Sequence, residues 1–171
     1  MIAAVPEATS VKTRLAVLED AAAIRDIYNR EVTGSTVTFD LVPRTLDDQR
    51  AWIAAHAGAH PAVVAVEGRE VVGFGSLSPY RDRPAYATTV EDSVYVRHDA
   101  RRQGVGAAVL AELVRLATAH GFHAMMARVV GGHEASIQVH RACGFELVGV
   151  EREVGRKLGR WLDVVVMERL L

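Results

Sequence analysis

The amino-acid sequence predicts a mixed α/β fold, with a mostly antiparallel central sheet and helices packed on both of its faces. Strand-like runs in the first half follow one another through short polar turns, whereas those in the second half alternate with helical patterns. The 171 residues, of which 50% are hydrophobic and 24% charged, suit one hydrophobic core. We therefore expect a single domain over residues 11–171, preceded by a flexible tail over residues 1–10, which lack periodicity.

The first third of the chain predicts one strand and two helices. Lys12 to Leu18 has strand character, and Asp20 is the expected N-cap of a first helix. The buried stripe of that helix is Ile24, Ile27, Tyr28 and Val32. Residues 33–43 look irregular. Thr45 and Asp48 have capping-box spacing and begin a short second helix. That helix is expected to bury Trp52 and Ile53.

The middle of the chain predicts an antiparallel hairpin and then a central strand. The hairpin strands are Ala62 to Glu67 and Val71 to Ser78. Thr89 to Val96 resumes strand character, and successive side chains of a strand point to opposite faces. One face carries Glu91, Ser93 and Tyr95. The other face carries Val90, Asp92, Val94 and Val96.

Two helices and three strands complete the predicted domain. A helix spans Gly104 to His120 and stops at Gly121. Its buried stripe is Val109, Leu113, Leu116 and Ala117. A buried strand at Ala124 to Val130 precedes a helix from Glu134 to Ala142, which Gly144 ends. The last two strands are Phe145 to Val154 and Leu162 to Leu170.

Charge and cysteine content argue against several classes of function. Lys and Arg total 20 against 21 Asp and Glu, so no global field would draw the chain to nucleic acid or to a membrane. The single cysteine, Cys143, cannot form an internal disulfide or a thiolate zinc site, and we expect no bound metal. The apolar start is too short for a signal peptide, which favours the cytoplasm.

The most informative segment is an anion cradle at the start of a long helix, Arg101-Arg102-Gln103-Gly104-Val105-Gly106-Ala107. Backbone N–H groups and the helix dipole converge there, and glycine allows a pyrophosphate to approach closely. A dinucleotide fingerprint would need a third glycine where Val109 stands, and a Walker loop would need Lys-Ser or Lys-Thr in place of Ala107-Ala108. A helix start softened by glycine, with no ligand, is the structural alternative.

The cradle resembles the pyrophosphate loop of the Gcn5-related N-acetyltransferase superfamily, Arg/Gln-x-x-Gly-x-Gly/Ala, through Arg101, Gly104 and Gly106. Three further segments look like its phosphinothricin N-acetyltransferase branch: Thr89 to Val96, Ala135 to His140 with Gly144-Phe145-Glu146, and Glu153 to Asp163. The resemblance runs from about Lys12 to the C-terminus.

This resemblance implies acetyl-CoA as cosubstrate and assigns its contacts. Residues 94–96 would lend backbone groups to the pantetheine arm, and the amides of residues 102–107 would hold the pyrophosphate. The implied cofactor-binding residues are Val94, Tyr95, Val96, Arg101, Arg102, Gln103, Gly104, Val105, Gly106, Ala107, His133, Ser136 and Val139. The family often carries Asn where this chain has His133, which is alternatively only a helix cap.

Glu91 is the candidate general base and His140 its catalytic partner. An ammonium group must lose a proton before it can attack a thioester, and a carboxylate on the central strand can accept that proton. The resemblance also points to Glu91, although a solvated strand carboxylate is the plainer interpretation. His140 would assist the departing thiolate by donating a proton or by orienting groups, or it is simply packed on its helix.

The acceptor is expected to be a small amino-acid-like amine. Arg81 and Arg83 offer guanidinium groups to a carboxylate or phosphinate, unless they are only solvated loop charges, and Glu91, Asp92 and Ser93 complete the expected acceptor site. The branch implies phosphinothricin or methionine sulfoximine or sulfone as acceptors, a role in herbicide or antibiotic resistance, and a homodimer. Acetylation of a protein N-terminus or a lysine, and a non-catalytic acyl-CoA-binding module, are the alternatives.

Overall fold

The computed structural model describes residues 11–171, so the tail expected at residues 1–10 lies outside the described residues. In chain order the elements are β1 (Lys12–Leu15), α1 (Ala21–Gly34), α2 (Leu46–Ala55), β2 (Ala62–Glu67), β3 (Glu70–Pro79), β4 (Thr89–Val96), α3 (Val105–Ala119), β5 (Ala124–Val130), α4 (Glu134–Ala142), β6 (Glu146–Lys157) and β7 (Arg160–Leu170). The seven strands form one sheet in the order β1-β2-β3-β4-β5-β7-β6. All neighbouring pairs are antiparallel except β4 and β5, which are parallel. The predicted mixed, mostly antiparallel sheet is therefore confirmed.

Helices cover both faces of this sheet, as the sequence predicts. Helices α1 and α2 pack on one face around Ile24, Ile27, Ile53, Val64 and Phe74. Helices α3 and α4 pack on the other face around Val109, Leu113, Met125, Ile137 and Phe145. Because β4 contributes Val90 to one cluster and Tyr95 to the other, its predicted alternation of side chains is also confirmed.

Two glycines of β3 set how closely α3 approaches the sheet. A Cβ atom on Gly73 would lie 2.7 Å from Val105 Cγ1, and one on Gly75 would lie 2.6 Å from Val109 Cγ1. Such distances are well inside van der Waals contact, so only glycine allows the helix to pack there. This close packing fixes the N-terminus of α3 beside the end of β4.

The predicted start of the domain needs correction. β1 ends at Leu15 rather than at Leu18, because residues 18–20 form a short 3₁₀ turn instead of continuing the strand. Helix α1 begins directly after Asp20, but the Asp20 carboxylate does not cap it. That carboxylate instead accepts hydrogen bonds from Val17 N–H and from Arg14. By contrast, Thr45 and Asp48 form the predicted capping box of α2.

The end of the domain also differs from the prediction. β6 extends to Lys157 and β7 begins at Arg160, so the strands predicted to end at Val154 and to begin at Leu162 form one longer hairpin. Leu158 and Gly159 form its turn with φ of 49° and 74°, the left-handed backbone of a tight hairpin turn. The sequence predicts a longer connection over residues 155–161, because leucine rarely adopts that conformation and Leu158 therefore does not indicate a tight turn. Two side chains expected to be buried, Trp52 and Leu116, are only partly buried.

No helix within residues 11–171 has the length and apolar character needed to cross a membrane.

Candidate active site

The site begins where the two parallel strands of the sheet part from each other. β4 and β5 are paired only from Thr89 with Ala124 to Glu91 with Met126, although β4 continues to Val96 and β5 to Val130. The backbone of residues 92–96 therefore lacks a strand neighbour on the β5 side. An extended ligand can take that place by hydrogen bonding to the exposed strand edge.

A cleft of about 780 Å³ occupies the gap between β4 and β5. Its walls come from β4, β5 and the first turns of α3 and α4, and Val37, Thr38 and Phe39 of the α1–α2 loop cover part of it. Glu91 lies at the inner end, where strand pairing stops, and the start of α3 lies at the outer end. The cleft thus runs from a carboxylate to a helix N-terminus.

The outer end has the geometry of an anion cradle. Arg102 and Gly104 have φ of 60° and 81°, so the chain turns sharply before α3 begins at Val105. The first helical hydrogen bond runs from Ala108 N–H to Gly104 C=O, which leaves the amides of residues 105–107 without a helical acceptor. These amides, at the positive end of the helix dipole, suit a pyrophosphate.

Arg101 and Lys157 connect this cradle to the loop that covers the cleft. Arg101 donates to the buried carboxylate of Glu31 at the end of α1, and Ser35 donates to the other oxygen of that carboxylate. The buried Lys157 ammonium donates to the backbone carbonyls of Glu31 and Thr38 at 3.2 and 2.8 Å. Burial lowers the pKa of Lys157, against the opposing charges of nearby carboxylates. The segment from Glu31 to Thr38, which leads into the cleft cover, is therefore hydrogen-bonded at both of its ends.

Glu91 is the partly buried carboxylate at the inner end of the cleft. Burial raises its pKa above the ordinary value of a glutamate, and the nearby positive charge of Arg128 opposes that rise. Asp92 and Glu151 raise the pKa further, whereas Arg81 lowers it. A carboxylate with a raised pKa in a cleft is a stronger base than a solvated one, which suits a group that must take a proton from an amine.

Asp92 and His140 form a buried pair beneath β4. His140 Nδ1 lies 2.8 Å from the Ser136 carbonyl oxygen, which can only accept, so Nδ1 carries a proton. His140 Nε2 lies 3.0 Å from Asp92 Oδ2 and must share a second proton with it. Burial lowers the pKa of His140, but the hydrogen bond and charge of Asp92 and the Ser136 carbonyl outweigh burial and raise it overall. Both ring nitrogens are therefore engaged within the protein.

His133 lies on the wall opposite β4, at the start of α4. Its Nε2 shares a hydrogen bond of 3.2 Å with Thr36 of the α1–α2 loop, and its side chain does not cap α4. Burial lowers its pKa, with Glu31 opposing and Arg101 adding to that effect. His133 therefore joins the cover of the cleft to its far wall; it takes the N-cap position of α4, but its side chain does not cap the helix.

Arg81 and Arg83 lie outside the main cleft. With Tyr80, Asp82 and Tyr86 they line a shallow depression of about 620 Å³. The Arg81 guanidinium lies 4.9 Å from the centre of the Tyr80 ring and 5.6 Å from that of Tyr86. Its charge nevertheless reaches Glu91, whose pKa it lowers.

The comparison with protein-family models identifies this architecture. Residues 21–145 match the model described as the acetyltransferase (GNAT) family. This chain belongs to the acetyltransferase (GNAT) family. The expectation from the pyrophosphate loop is thereby confirmed, since the GNAT match includes that loop and the Ala135 to His140 segment.

Two relatives and one solved structure narrow the comparison within the GNAT family. The chain is 39% identical over 170 residues to phosphinothricin N-acetyltransferase of Streptomyces coelicolor, covering 97% of this chain and 99% of that protein. It is 39% identical over 161 residues to L-methionine sulfoximine/L-methionine sulfone acetyltransferase of Pseudomonas paraeruginosa, covering 93% and 94% of the two chains. A phosphinothricin acetyltransferase from Sinorhizobium meliloti, solved in complex with acetyl-CoA, superimposes with a TM-score of 0.90 at 40% identity, covering 94% of this chain and 88% of that one.

The structure brings most of the sequence-predicted site residues of this GNAT domain to one cleft. Only Gln103, Arg81 and Arg83 are not part of its lining. Gln103 instead donates to the Asp99 carbonyl. The predicted site residues that do line the cleft are Glu91, Asp92, Ser93, Val94, Tyr95, Val96, Arg101, Arg102, Gly104, Val105, Gly106, Ala107, His133, Ser136, Val139 and His140.

Sequence reasoning missed three parts of the site. Glu31 and Arg128 line the cleft, and Lys157 holds its cover. A buried charged residue inside a helical stripe was the available signal for Glu31, since such residues are rarely buried without a partner. Arg128, in the middle of an otherwise apolar strand, offered a similar signal.

Proposed function

We propose that this chain transfers the acetyl group of acetyl-CoA to the amine of a small amino-acid-like acceptor, such as phosphinothricin or methionine sulfoximine or sulfone. The observation that carries the proposal is the cleft itself. A partly buried carboxylate lies at its inner end and unpaired helix amides lie at its outer end, joined by a free strand edge. That arrangement suits a long, extended cosubstrate with an anionic end, whose acyl group is presented to a base.

The residues of the cleft fit acetyl-CoA in a definite direction. The amides of residues 102–107 would receive the pyrophosphate, and the free edge of residues 94–96 would pair with the amides of the pantetheine arm. His133, Ser136 and Val139 line the opposite wall. This direction brings the thioester toward Glu91.

The proposed reaction is direct transfer, with Glu91 as the general base. Glu91 takes one proton from the acceptor ammonium, and the amine nitrogen then attacks the thioester carbonyl carbon. When the C–S bond breaks, the second proton of that nitrogen passes to the departing thiolate. Cys143 does not line the cleft and burial raises its pKa, so the one thiol of the chain is a poor candidate for a covalent intermediate.

His140 has an orienting role in this proposal. Because Asp92 and the Ser136 carbonyl engage both ring nitrogens, neither is available to the thiolate without breaking a hydrogen bond. The pair instead fixes α4, which carries Ser136 and Val139, against β4, which carries Glu91. It thereby holds the two walls of the cleft at a constant separation.

The acceptor would lie between Glu91, Ser93 and the depression around Arg81. Asp92, expected at the acceptor site, is instead buried and paired with His140 on the other face of β4. A guanidinium that lies near two tyrosine rings is well placed to bind an anionic or strongly polar group at the far end of the acceptor. Phosphinothricin carries a phosphinate at that position, and methionine sulfone carries sulfur oxygens. Acetylation would remove the free amine of such a compound, which is the chemical basis for the proposed role in resistance.

We also propose that the single domain, residues 11–171, forms a homodimer in the cytoplasm. Edge strand β6 and the hairpin to β7 expose large apolar side chains, among them Leu147, Val150, Val154, Leu158 and Trp161. An edge strand of this kind is usually covered in a stable protein. Light scattering at micromolar protein should give the mass of a dimer, and Trp161→Glu should shift it to the monomer. A monomer mass for the unaltered chain would remove this part of the proposal.

One assay separates the candidate functions. The chain is incubated with acetyl-CoA and, in turn, phosphinothricin, methionine sulfone, a lysine-containing peptide and a peptide with a free N-terminal amine. We expect release of free CoA with the two small acceptors and little with the peptides. The reverse ranking would indicate a protein acetyltransferase. Acetyl-CoA binding with no transfer to any acceptor would indicate a binding module.

A further inference from the structure

Arg128 places a positive charge next to the proposed base. Glu91 pairs with Met126, and side chains of a strand two residues apart share a face, so Arg128 lies on the same face as Glu91. Its position is just past the point where β4 and β5 separate, and it lines the cleft. The guanidinium therefore belongs to the β5 wall, opposite the strand that carries Glu91.

Glu151 holds this guanidinium in place from edge strand β6. Both terminal nitrogens of Arg128 donate to the two oxygens of the Glu151 carboxylate, with Nη1 at 2.9 Å. This fork uses two of the five N–H donors of an arginine and leaves three for another partner. The Arg128 side chain is 31% exposed and lines the cleft, so a ligand in the cleft can reach it. Glu151 thus orients Arg128 and leaves part of its guanidinium available to bind a ligand.

The charges around Arg128 complement a zwitterion. Glu91 on β4 and Glu151 on β6 are acidic, whereas Arg128 on β5 and Arg81 in the β3–β4 loop are basic, and all act on the pKa of Glu91 together with Asp92. In an α-amino acid the carboxylate is attached to the carbon that bears the amine. A cation that recognises the carboxylate must therefore lie beside the base that receives the ammonium proton. Arg81 lies near the tyrosines of the shallow depression outside the cleft and suits the distal end of the acceptor instead.

Resting on the proposed function, we propose that Arg128, held by Glu151, binds the α-carboxylate of the acceptor and so selects α-amino acids over simple amines. Phosphinothricin and methionine sulfone carry two polar ends, and two arginines on neighbouring elements would bind one end each. The α-carboxylate would contact the three remaining N–H donors of Arg128 by charge-assisted hydrogen bonds.

The test compares methionine sulfone with 3-(methylsulfonyl)propan-1-amine, the same chain without the carboxylate. Steady-state kcat and KM are measured for both acceptors with the unaltered enzyme, Arg128→Met and Arg128→Lys. Arg115→Met is the matched control, because Arg115 forms a similar two-nitrogen pair with Glu112 on the exposed side of α3. We expect Arg128→Met to raise KM for methionine sulfone about ten- to a hundredfold and to change kcat/KM for the simple amine less than about threefold. Arg128→Lys should lie between, and KM for acetyl-CoA should not move.

The outcomes separate this inference from the proposed function. An equal loss on both acceptors would show that Arg128 acts only through Glu91 or through the fold, and would overturn the carboxylate assignment. No loss on either acceptor in Arg128→Met would overturn it as well. If the unaltered enzyme binds acetyl-CoA but acetylates neither compound, the proposed acceptor class itself fails. Arg128→Lys keeps the charge on β5, so it allows the comparison if Arg128→Met does not fold.

Discussion

The buried pair of Asp92 and His140 gives a stability prediction that can be worked out from its hydrogen bonds. In Asp92→Ala the imidazole loses its partner in a site where the pair is almost fully buried. Breaking a buried ion pair from one side typically costs about 3–5 kcal/mol, but the imidazole can release its proton and reduce the penalty to that of an unsatisfied buried group, about 1–3 kcal/mol. We expect a loss near 2–3 kcal/mol, which for a chain of this size lowers the melting temperature by roughly 5–10 °C.

Asp92→Asn separates the hydrogen bond from the charge. An asparagine amide can donate to Nε2 of a neutral imidazole whose Nδ1–H still donates to the Ser136 carbonyl, so the expected loss near neutral pH is below about 1 kcal/mol. Asp99→Ala, which breaks an exposed pair with Arg97, is the control and should leave the melting temperature close to that of the unaltered protein.

The stability difference between the unaltered protein and Asp92→Asn should depend on pH, with a definite sign. The folded-state pKa of His140 is raised, so the stability that the charged pair contributes is fully present below the unfolded value of about 6.5. That stability is lost as pH rises through the raised folded-state pKa. The gap in melting temperature between the unaltered protein and Asp92→Asn should therefore be larger at pH 5.5 than at pH 9. Equal losses for Asp92→Ala and Asp92→Asn, or a gap that does not change with pH, would refute the proton-sharing pair.

Four further predictions concern the cleft. Glu91→Gln should lower kcat by about 100-fold or more yet melt at the same or a higher temperature, because the raised pKa of Glu91 means that its ionised form is destabilised by burial; a turnover within about threefold of the parent would remove Glu91 as the base. Acetyl-CoA at 100 times its Kd should add about 2.7 kcal/mol and raise the melting temperature by roughly 5–10 °C, and an unchanged melt would contradict the cosubstrate. Arg81→Ala should raise KM for phosphinothricin about ten- to a hundredfold and leave acetyl-CoA affinity unchanged. Weaker acetyl-CoA binding would contradict the assignment of Arg81 to the acceptor site. Gly75→Ala should cost about 1–3 kcal/mol by pushing α3 away from β3, whereas Gly149→Ala, where a Cβ has nothing within 4 Å, should be close to neutral; equal melting temperatures would argue against the close helix contact.

The sequence predicted those features whose causes are local. The capping box of Thr45 and Asp48 and the helix stops at Gly121 and Gly144 follow from chemistry within a few residues, and both glycines have the left-handed backbone that such stops need. The anion cradle is local in the same sense, because a glycine-containing turn and a helix start are adjacent in the chain.

The parts of the site that could not be predicted depend on contacts between distant residues. Asp92 and His140 are 48 positions apart, and Lys157 reaches Thr38 across 119 positions. Alternation along β4 places the side chain of Asp92 on the other face of the sheet from Glu91, but it does not show which residues pack against that face. The separation of β4 from β5 is likewise invisible in either strand alone, since each has an ordinary strand pattern. The sequence therefore predicted most of the site residues but not the distant residues with which they form hydrogen bonds.

The cover of the cleft explains why cosubstrate and acceptor sites need not be independent. The segment from Glu31 to Phe39 is held by Arg101 of the pyrophosphate cradle, by His133 of the far wall and by Lys157 of the β6–β7 hairpin. A ligand that draws the Arg101 guanidinium toward its phosphates must compete with Glu31, whose backbone carbonyl also accepts a hydrogen bond from Lys157. Phe39, on the same segment, packs so closely against Gly155 that a Cβ atom at position 155 would overlap its ring. We therefore expect ligand binding at the outer end of the cleft to change how firmly the covering segment is held.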